Sequence, residues 1–178
     1  MAKTYTANSY NIASPAHTTI ANGKSMLAIA NTHASNIVKV WRAWVYPSAT
    51  ITSVTGIMVN FALRRFTTLA SGSAVTAVAH NTANAAKDLT NISVVTGATI
   101  TSPTTIFDWF VSSEELTVSG ATNNHLLAFY PFALAWDVGV GDSNVEPIIL
   151  RQNQGCDIQC VTNSTAGNFD CIMEFAAV

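Results

Sequence analysis

Three cysteines near the end of the sequence are its most reactive side chains. Cys156 and Cys160 lie four residues apart in one predicted strand, about 13 Å by strand rise, which is too far for a disulfide. Cys171 lies in the next predicted strand, from which it is able to face either of them across a hairpin. The segment from Met1 to Tyr5 lacks the apolar core of a signal peptide. We therefore expect a reducing compartment and three free, buried thiols.

Two patterns in the sequence are related to metal sites, and both are incomplete. The histidines are far apart and lack the close H-x-H or C-x-x-C pairs of zinc sites; they are His17, His33, His80 and His125. Asp142, Asn144 and Glu146 place oxygen ligands at every second position, which calcium accepts, but the loop and final bidentate glutamate of an EF-hand are missing. A turn stabilised by Asp and Asn side chains explains this segment as well. The sequence therefore predicts no metal site.

Carboxylates for acid–base catalysis are present, but the sequence does not pair them. Glycosidases need two carboxyl groups roughly 5–10 Å apart in a cleft. The positions of Asp108, Asp137 and the neighbours Glu114 and Glu115 do not establish such a pair. No G-x-S-x-G elbow, phosphate-binding loop or dinucleotide fingerprint occurs in the sequence. We therefore predict that the protein is not an enzyme and carries no catalytic or cofactor-binding site.

The low charge of the sequence points to contact between subunits. Only 10% of the residues are charged, and the formal net charge is −2, whereas charged residues usually make up about a quarter of a soluble domain. We expect neighbouring subunits to cover much of the surface; a Ser- and Thr-rich surface of the kind that extracellular β proteins carry is the alternative. No basic run offers a patch for nucleic acid. No apolar stretch reaches the length of a membrane span.

Alternation of apolar and polar residues predicts an all-β fold. Cys156 to Cys160 and Phe169 to Phe175 show this alternation most clearly, with a polar turn between them. About eight such segments and no convincing long helix predict a two-sheet antiparallel sandwich of the jelly-roll type over residues 25–178. Residues 1–24 hold few large apolar side chains and predict a polar N-terminal arm or a short first strand. The longest excursion between strands is expected within residues 67–103.

The strongest predicted strand runs from Ile37 to Tyr46 and carries large apolar residues on both faces if it alternates regularly. Such a strand is expected to be covered on both sides, by the core on one and by a neighbouring subunit on the other. We therefore name five interface candidates: Trp41, Trp44, Tyr46, Arg64 and Trp109. Core burial explains the tryptophans as well, and a structural role within a strand explains the basic pair Arg64-Arg65.

The glycine-rich run before the last strands has a recognisable pattern. Trp136 to Pro147, with the sequence W-D-V-G-V-G-D-S-N-V-E-P, the following segment from Leu150 to Gly155 and a closing strand ending in Glu174-Phe175 resemble small β-sandwich virion proteins of tailed bacteriophages. These include capsid decoration, or cement, proteins, which are jelly-roll-like subunits on the outside of the head, often trimers. The resemblance covers residues 26–178 and includes no catalytic motif.

The resemblance implies a structural function. It suggests a homotrimer that contacts the major capsid protein at the virion surface, after synthesis in the host cytoplasm, and that stabilises the shell. In this role the arm of residues 1–24 is expected to add a strand to a neighbour's sheet edge. The alternative is a receptor- or carbohydrate-binding module of a phage tail or fibre, with Asp142 and Asn144 near Trp136 as candidate sugar ligands. Fibre modules usually carry an elongated repetitive shaft, which this sequence lacks.

Overall fold

The chain folds into two antiparallel β-sheets that pack face to face, as predicted. A computed structural model describes residues 3–10, 25–47, 58–84, 89–112, 133–138, 146–161 and 169–178. The strands are β1 (Lys3–Asn8), β2 (Ser25–Asn31), β3 (Val38–Pro47), β4 (Met58–Phe66), β5 (Thr68–Ala74), β6 (Val78–Ala79), β7 (Ile92–Thr101), β8 (Thr104–Ser112), β9 (Ala133–Asp137), β10 (Ile148–Leu150), β11 (Gln154–Cys160) and β12 (Phe169–Ala177). Thr82–Asn84 form a short 3-10 turn.

The strand order is that of a jelly roll. Sheet A has the order β10-β3-β12-β1-β6, with β9 also paired to β3, and sheet B has the order β5-β7-β2-β11-β4-β8. Within them, β10-β3-β12-β1 packs on β2-β11-β4-β8, which is the arrangement of two Greek keys. β5, β6 and β7 form an insertion between β4 and β8. They occupy the segment in which the sequence predicted the longest excursion.

The main core fills the space between the sheets. Phe61 of sheet B packs against Phe169 of sheet A, with ring centroids 5.2 Å apart. The three cysteines lie in this core and are free, as predicted. Cys171 Sγ lies 3.8 Å from Met26 Sδ. Burial raises the pKa of the Cys156 and Cys171 thiols, so both stay protonated and poorly nucleophilic.

The prediction of an N-terminal arm is wrong for Lys3–Asn8. These residues form a short first strand, which is the alternative that the sequence left open. β1 lies between β12 and β6, and its pairing with β12 begins at Lys3 and Ala177. Tyr5 is fully buried, and its ring stacks on Phe175 with centroids 5.4 Å apart. Few apolar side chains are sufficient here because pairing on both sides satisfies the backbone of the strand. Residues 11–24 lie outside the described part of the chain.

β3 is bulged at Trp41, and the bulge changes which of its residues share a face. The neighbouring strand β12 pairs Phe175 with Val40 and Glu174 with Arg42, which leaves Trp41 unmatched in the register. One extra residue reverses the alternation of side chains beyond it. As a result, the apolar residues on both sides of the bulge point into the core: Val38, Val40, Ala43 and Val45.

The β4–β8 pair bends sharply and continues as the β5–β7 pair. Arg65 is opposite Thr104 before the bend, and Thr68 is opposite Thr101 after it. Because β7 then pairs with β2, a second, smaller core forms on the outer side of sheet B; its buried members are Ala28, Ala30, Phe66, Val95 and Ala98. Gly155 faces Phe66 across the sheet. A Cβ at Gly155 would overlap the Phe66 ring, so this close approach requires glycine.

Candidate interaction surface

The described residues do not form a compact reactive cluster. They contain no group of three or more His, Cys, Asp or Glu side chains that could hold a metal ion. A shallow cleft of about 160 Å³ lies at the bend after β4 and is lined by polar and apolar residues, among them Arg65, Phe66, Thr67 and Thr104. Within this part of the chain, no helix has the length and apolar character to cross a membrane.

Several of the histidines, acids and amides that the sequence offers for metal, sugar or acid–base chemistry lie outside the described part of the chain: His17, Glu114, Glu115, His125, Asp142 and Asn144. Of the remaining acids, Glu146 and Asp108 are exposed. Asp137 accepts a hydrogen bond from Arg42 Nε at 3.0 Å. His80 Nε2 lies 2.7 Å from Thr6 Oγ1, and His33 Nδ1 accepts from the backbone of Asn36 at 2.9 Å. These contacts belong to turns and sheet faces.

Three of the five interface candidates, Trp41, Trp44 and Tyr46, lie on β3 and are half-buried. Asn8 Nδ2 donates to Tyr46 Oη at 3.4 Å, and burial raises the pKa of the Tyr46 phenol. Arg42 completes this face by pairing with Asp137 and, at 3.3 Å, with Glu174 Oε2. The outer face of sheet A therefore presents partly covered aromatic rings beside charges that are already paired.

Arg64, the charged candidate, is buried. Its Nε donates to Asp157 Oδ1 at 3.2 Å, and its Nη2 donates to Asp157 Oδ2 at 2.6 Å. The two side chains are 8% and 0% exposed. Burial raises the pKa of the Asp157 carboxyl, and the hydrogen bonds and charge of Arg64 oppose that rise. The pair joins β4 to β11 on the outer side of sheet B, a position that fits the structural alternative and leaves Arg64 little surface to offer a neighbour.

Trp109, the fifth candidate, lies among the exposed aromatic residues of β8. Its ring lies 6.0 Å from that of Phe61 in the core and 6.0 Å from that of Phe107, the latter nearly parallel at 18°. Phe107 is 44% exposed, and Phe110 on the other side of the strand is 58% exposed. β8 is the last strand on its side of sheet B among the described residues. An edge strand of this kind is able to pair with another chain and to bury aromatic rings against it.

The interface candidates predicted from the sequence did not include the exposed residues Phe107 and Phe110. Their signal is present in the sequence, because Phe107, Trp109 and Val111 alternate with Ile106, Asp108 and Phe110. That pattern places large apolar side chains on both faces of one strand. The same criterion directed attention to β3, where the bulge at Trp41 turns the aliphatic residues into the core and leaves Trp44 and Tyr46 half-buried.

The chain was also compared with known proteins. Protein-family models, curated proteins and solved structures gave no match. The functional interpretation therefore depends on the pattern of the sequence and on the geometry of the surfaces described above.

Proposed function

We propose that this chain is a structural virion protein that decorates a bacteriophage capsid and stabilises it through contacts with other subunits and with the shell. One observation carries the proposal: a jelly-roll sandwich exposes Phe107 and Phe110 along an edge strand. Jelly rolls occur as viral capsid domains and as lectins, and the fold alone does not choose between these roles. Exposed aromatic residues on a rigid strand favour a protein contact, because aromatic residues are enriched in protein interfaces.

The chemistry of the surface supports this function. Charged residues are few, and Arg42 and Arg64 already have carboxylate partners within the chain. A contact that avoids unpaired charges has a smaller desolvation cost than one that must bury them. In this proposal the shell contact is made by the major capsid protein, the assembly is the homotrimer implied by the resemblance, and the site of action is the outer surface of the virion.

The test uses particles of the parent phage that lack this protein, to which the purified chain is added. We expect saturable binding with a fixed number of copies per particle, and a higher temperature for release of the genome. The double variant Phe107→Asp/Phe110→Asp should bind at least about tenfold more weakly, as expected when anchors of an interface are lost. Val78→Asp is the matched control, because Val78 is 59% exposed on β6 of the other sheet. Particles that neither bind the chain nor gain stability would contradict the proposal.

A carbohydrate-binding module is the second candidate, and one observation favours it. Phe107 and Trp109 form a nearly parallel ring pair with Phe107 exposed, and an exposed aromatic platform of this kind is able to stack on a sugar ring. A glycan array separates the two functions. Binding of a defined glycan that Phe107→Ala abolishes, without binding to the parent particle, would establish this alternative.

A further inference from the structure

The backbone of β8 exposes hydrogen-bonding groups at defined residues. Val161 N donates to Asn60 O at 2.8 Å, so the backbone groups of Asn60 point toward β11. The N–H and C=O of one residue in an antiparallel strand point to the same side, and successive residues alternate. Phe61 therefore points toward β8, where its partner is Trp109. It follows that Asp108 and Phe110, on either side of Trp109, direct their backbone groups away from β4, to the edge of the sheet.

Among the described residues, this edge lacks the usual protection against pairing. Natural edge strands are often very short or carry lysine or proline. Sheet A follows this rule, because β6 and β10 at its ends span only Val78–Ala79 and Ile148–Leu150. β8 is longer, Thr104–Ser112, and Asp108 is its one charged residue. Its exposed rings, Phe107 and Phe110, lie on opposite sides of the strand, so a neighbouring strand would contact one of them on each face.

We propose that β8 pairs with β8 of a second copy of this chain, antiparallel and across a two-fold axis at Trp109. The contact would join two copies of sheet B into one continuous sheet. This inference rests on the proposed function in one respect, because it assigns Phe107 and Phe110 to a contact between subunits. It is tested on the purified chain alone, so its failure is distinguishable from a failure to bind the particle. Combined with the homotrimer of the proposed function, the contact gives a hexamer when its two-fold axes are perpendicular to the three-fold axis.

Two criteria select the register of the proposed β8–β8 contact: the charge of Asp108 and the number of residues that remain paired. An axis at Asp108 would place two carboxylates directly opposite each other, which is unfavourable in a cross-strand pair. An axis at Trp109 places Asp108 opposite Phe110 of the second copy, and the outward backbone groups of these two residues bond to each other on both sides of the axis. It also keeps residues 106–112 paired. An axis at Phe110 avoids the like charges as well but pairs residues 108–112 only.

The proposed register also extends the aromatic contacts of one chain. Trp109 would lie opposite Trp109 of the second copy at a pair without direct hydrogen bonds, where side chains approach most closely. Because Phe107 already stacks on Trp109 at 6.0 Å, the two-fold would bring these two rings from each copy into a single row. In the same register, Phe107 is opposite residue 111 of the second copy.

The first measurement is the mass of the purified full chain by sedimentation velocity. We expect an even number of subunits, a dimer or a hexamer, and half that number for Phe110→Asp. Val78→Asp, on the exposed edge of the other sheet, should leave the mass unchanged. A wild-type protein with an odd number of subunits, whether monomer or trimer, at every concentration measured would overturn the proposal.

A charge exchange tests the register itself. Phe110→Asp places a carboxylate opposite Asp108 of the second copy twice, whereas Phe110→Lys places an ammonium group there. We therefore expect the dissociation constant of Phe110→Asp to exceed that of Phe110→Lys by about tenfold at low salt. The double variant Asp108→Lys/Phe110→Asp should recover the affinity of Phe110→Lys, and the difference should shrink in high salt.

The same pair of variants reveals whether the copies associate through a different surface or register. Equal dissociation constants for Phe110→Asp and Phe110→Lys would exclude pairing across Trp109, even if the chain forms an even-numbered assembly. At a concentration low enough to dissociate the wild type, all variants should keep its circular dichroism spectrum and urea midpoint, because Asp108 and Phe110 are exposed. A variant that lost mass together with its fold would be replaced by Phe110→Thr, which keeps a residue that favours strands and should still weaken association.

Discussion

β3 and β8 have similar amino-acid patterns but opposite environments. Both carry tryptophan with other large apolar residues at neighbouring positions. β3 has β12 on one side and β9 and β10 on the other, and the bulge at Trp41 turns its aliphatic residues into the core. β8 has β4 on one side, and its aromatic residues from Phe107 to Phe110 alternate without interruption. The bulge decides which residues of β3 enter the core, and the position of each strand in its sheet, rather than apolar content, decides how far neighbouring strands flank its aromatic residues.

The most severe test of this contrast is a buried charge on each side of the bulge in β3. Val40 and Val45 are both fully buried, so Val40→Asp and Val45→Asp should each lower the free energy of unfolding by about 4 kcal/mol or more. Lys39→Asp on the outer face is the control and should change it by less than about 0.5 kcal/mol. Urea denaturation followed by circular dichroism measures all three. Without the bulge the two valines would lie on opposite faces, and one of the aspartates would then be tolerated.

The arginines extend the contrast to charged residues. Arg42 of β3 lies on an outer face, where its side chain is 37% exposed, whereas Arg64 beside β8 is 8% exposed. Asp157→Ala should therefore cost about 3–5 kcal/mol of stability, because it leaves the guanidinium of Arg64 buried without a partner. Glu174→Ala removes one partner of Arg42 and should cost less than about 1 kcal/mol. Equal losses in urea denaturation would mean that the Arg64 pair is accessible to water.

The thiols test the core beneath the same strands. Cys171 is paired with Val45 of β3, and Cys156 with Arg65 of β4. Burial raises the pKa of both thiols in the folded state. Since unfolded thiols ionise near pH ~8.5, their protonated form stabilises the fold below that pH, and this contribution is lost as the pH rises above it.

Between about pH 7 and pH 9 this loss amounts to about 1 kcal/mol for each thiol. Urea denaturation across this pH range measures the loss of stability. The variant Cys171→Ala should remove the part of this loss that one thiol contributes. A decrease that is the same in wild type and variant would show that the Cys171 thiol is not the titrating group.

The smallest effect is expected at the edge strand. Phe107→Thr and Phe110→Thr should each change the free energy of unfolding by less than about 0.5 kcal/mol at dilute concentration, because both rings are exposed. The same substitutions should weaken self-association in sedimentation experiments. A stability loss of several kcal/mol in the dilute protein would place these rings in the core and remove the contrast with β3.

Much of the fold could be predicted from local pattern. Alternation located the sandwich, the strand from Ser25 to Asn31 and the last two strands with their buried cysteines. The predicted hairpin between these two strands is wrong, because β11 lies in sheet B and β12 in sheet A. The features that escaped prediction depend on partners far away in the sequence. The bulge at Trp41 appears only when β12 is aligned with β3, and β1 appears as a strand only because β12 lies beside it.

The candidate surface was predictable only in part. Trp109 was named from its residue type, and the flanking phenylalanines were recognisable from the two apolar faces of their strand. That β8 stands at the edge of sheet B depends on the whole strand order, which no local pattern contains. The Arg64–Asp157 pair likewise joins β4 to β11, which are far apart in the sequence. The basic pair Arg64-Arg65 therefore could not reveal this partner.

The central position of β11 and β12 has a consequence for biosynthesis. β12 separates β3 from β1 in sheet A, and β11 separates β2 from β4 in sheet B. While the ribosome is still translating the segments before them, neither sheet has its middle strand: the β2–β7 and β4–β8 pairs are able to form, but they are not joined to each other through β11. Such non-local pairing makes folding slow and leaves strand edges exposed to aggregation meanwhile. The arrival of β11 and β12 is therefore the step that commits the nascent chain to its native structure.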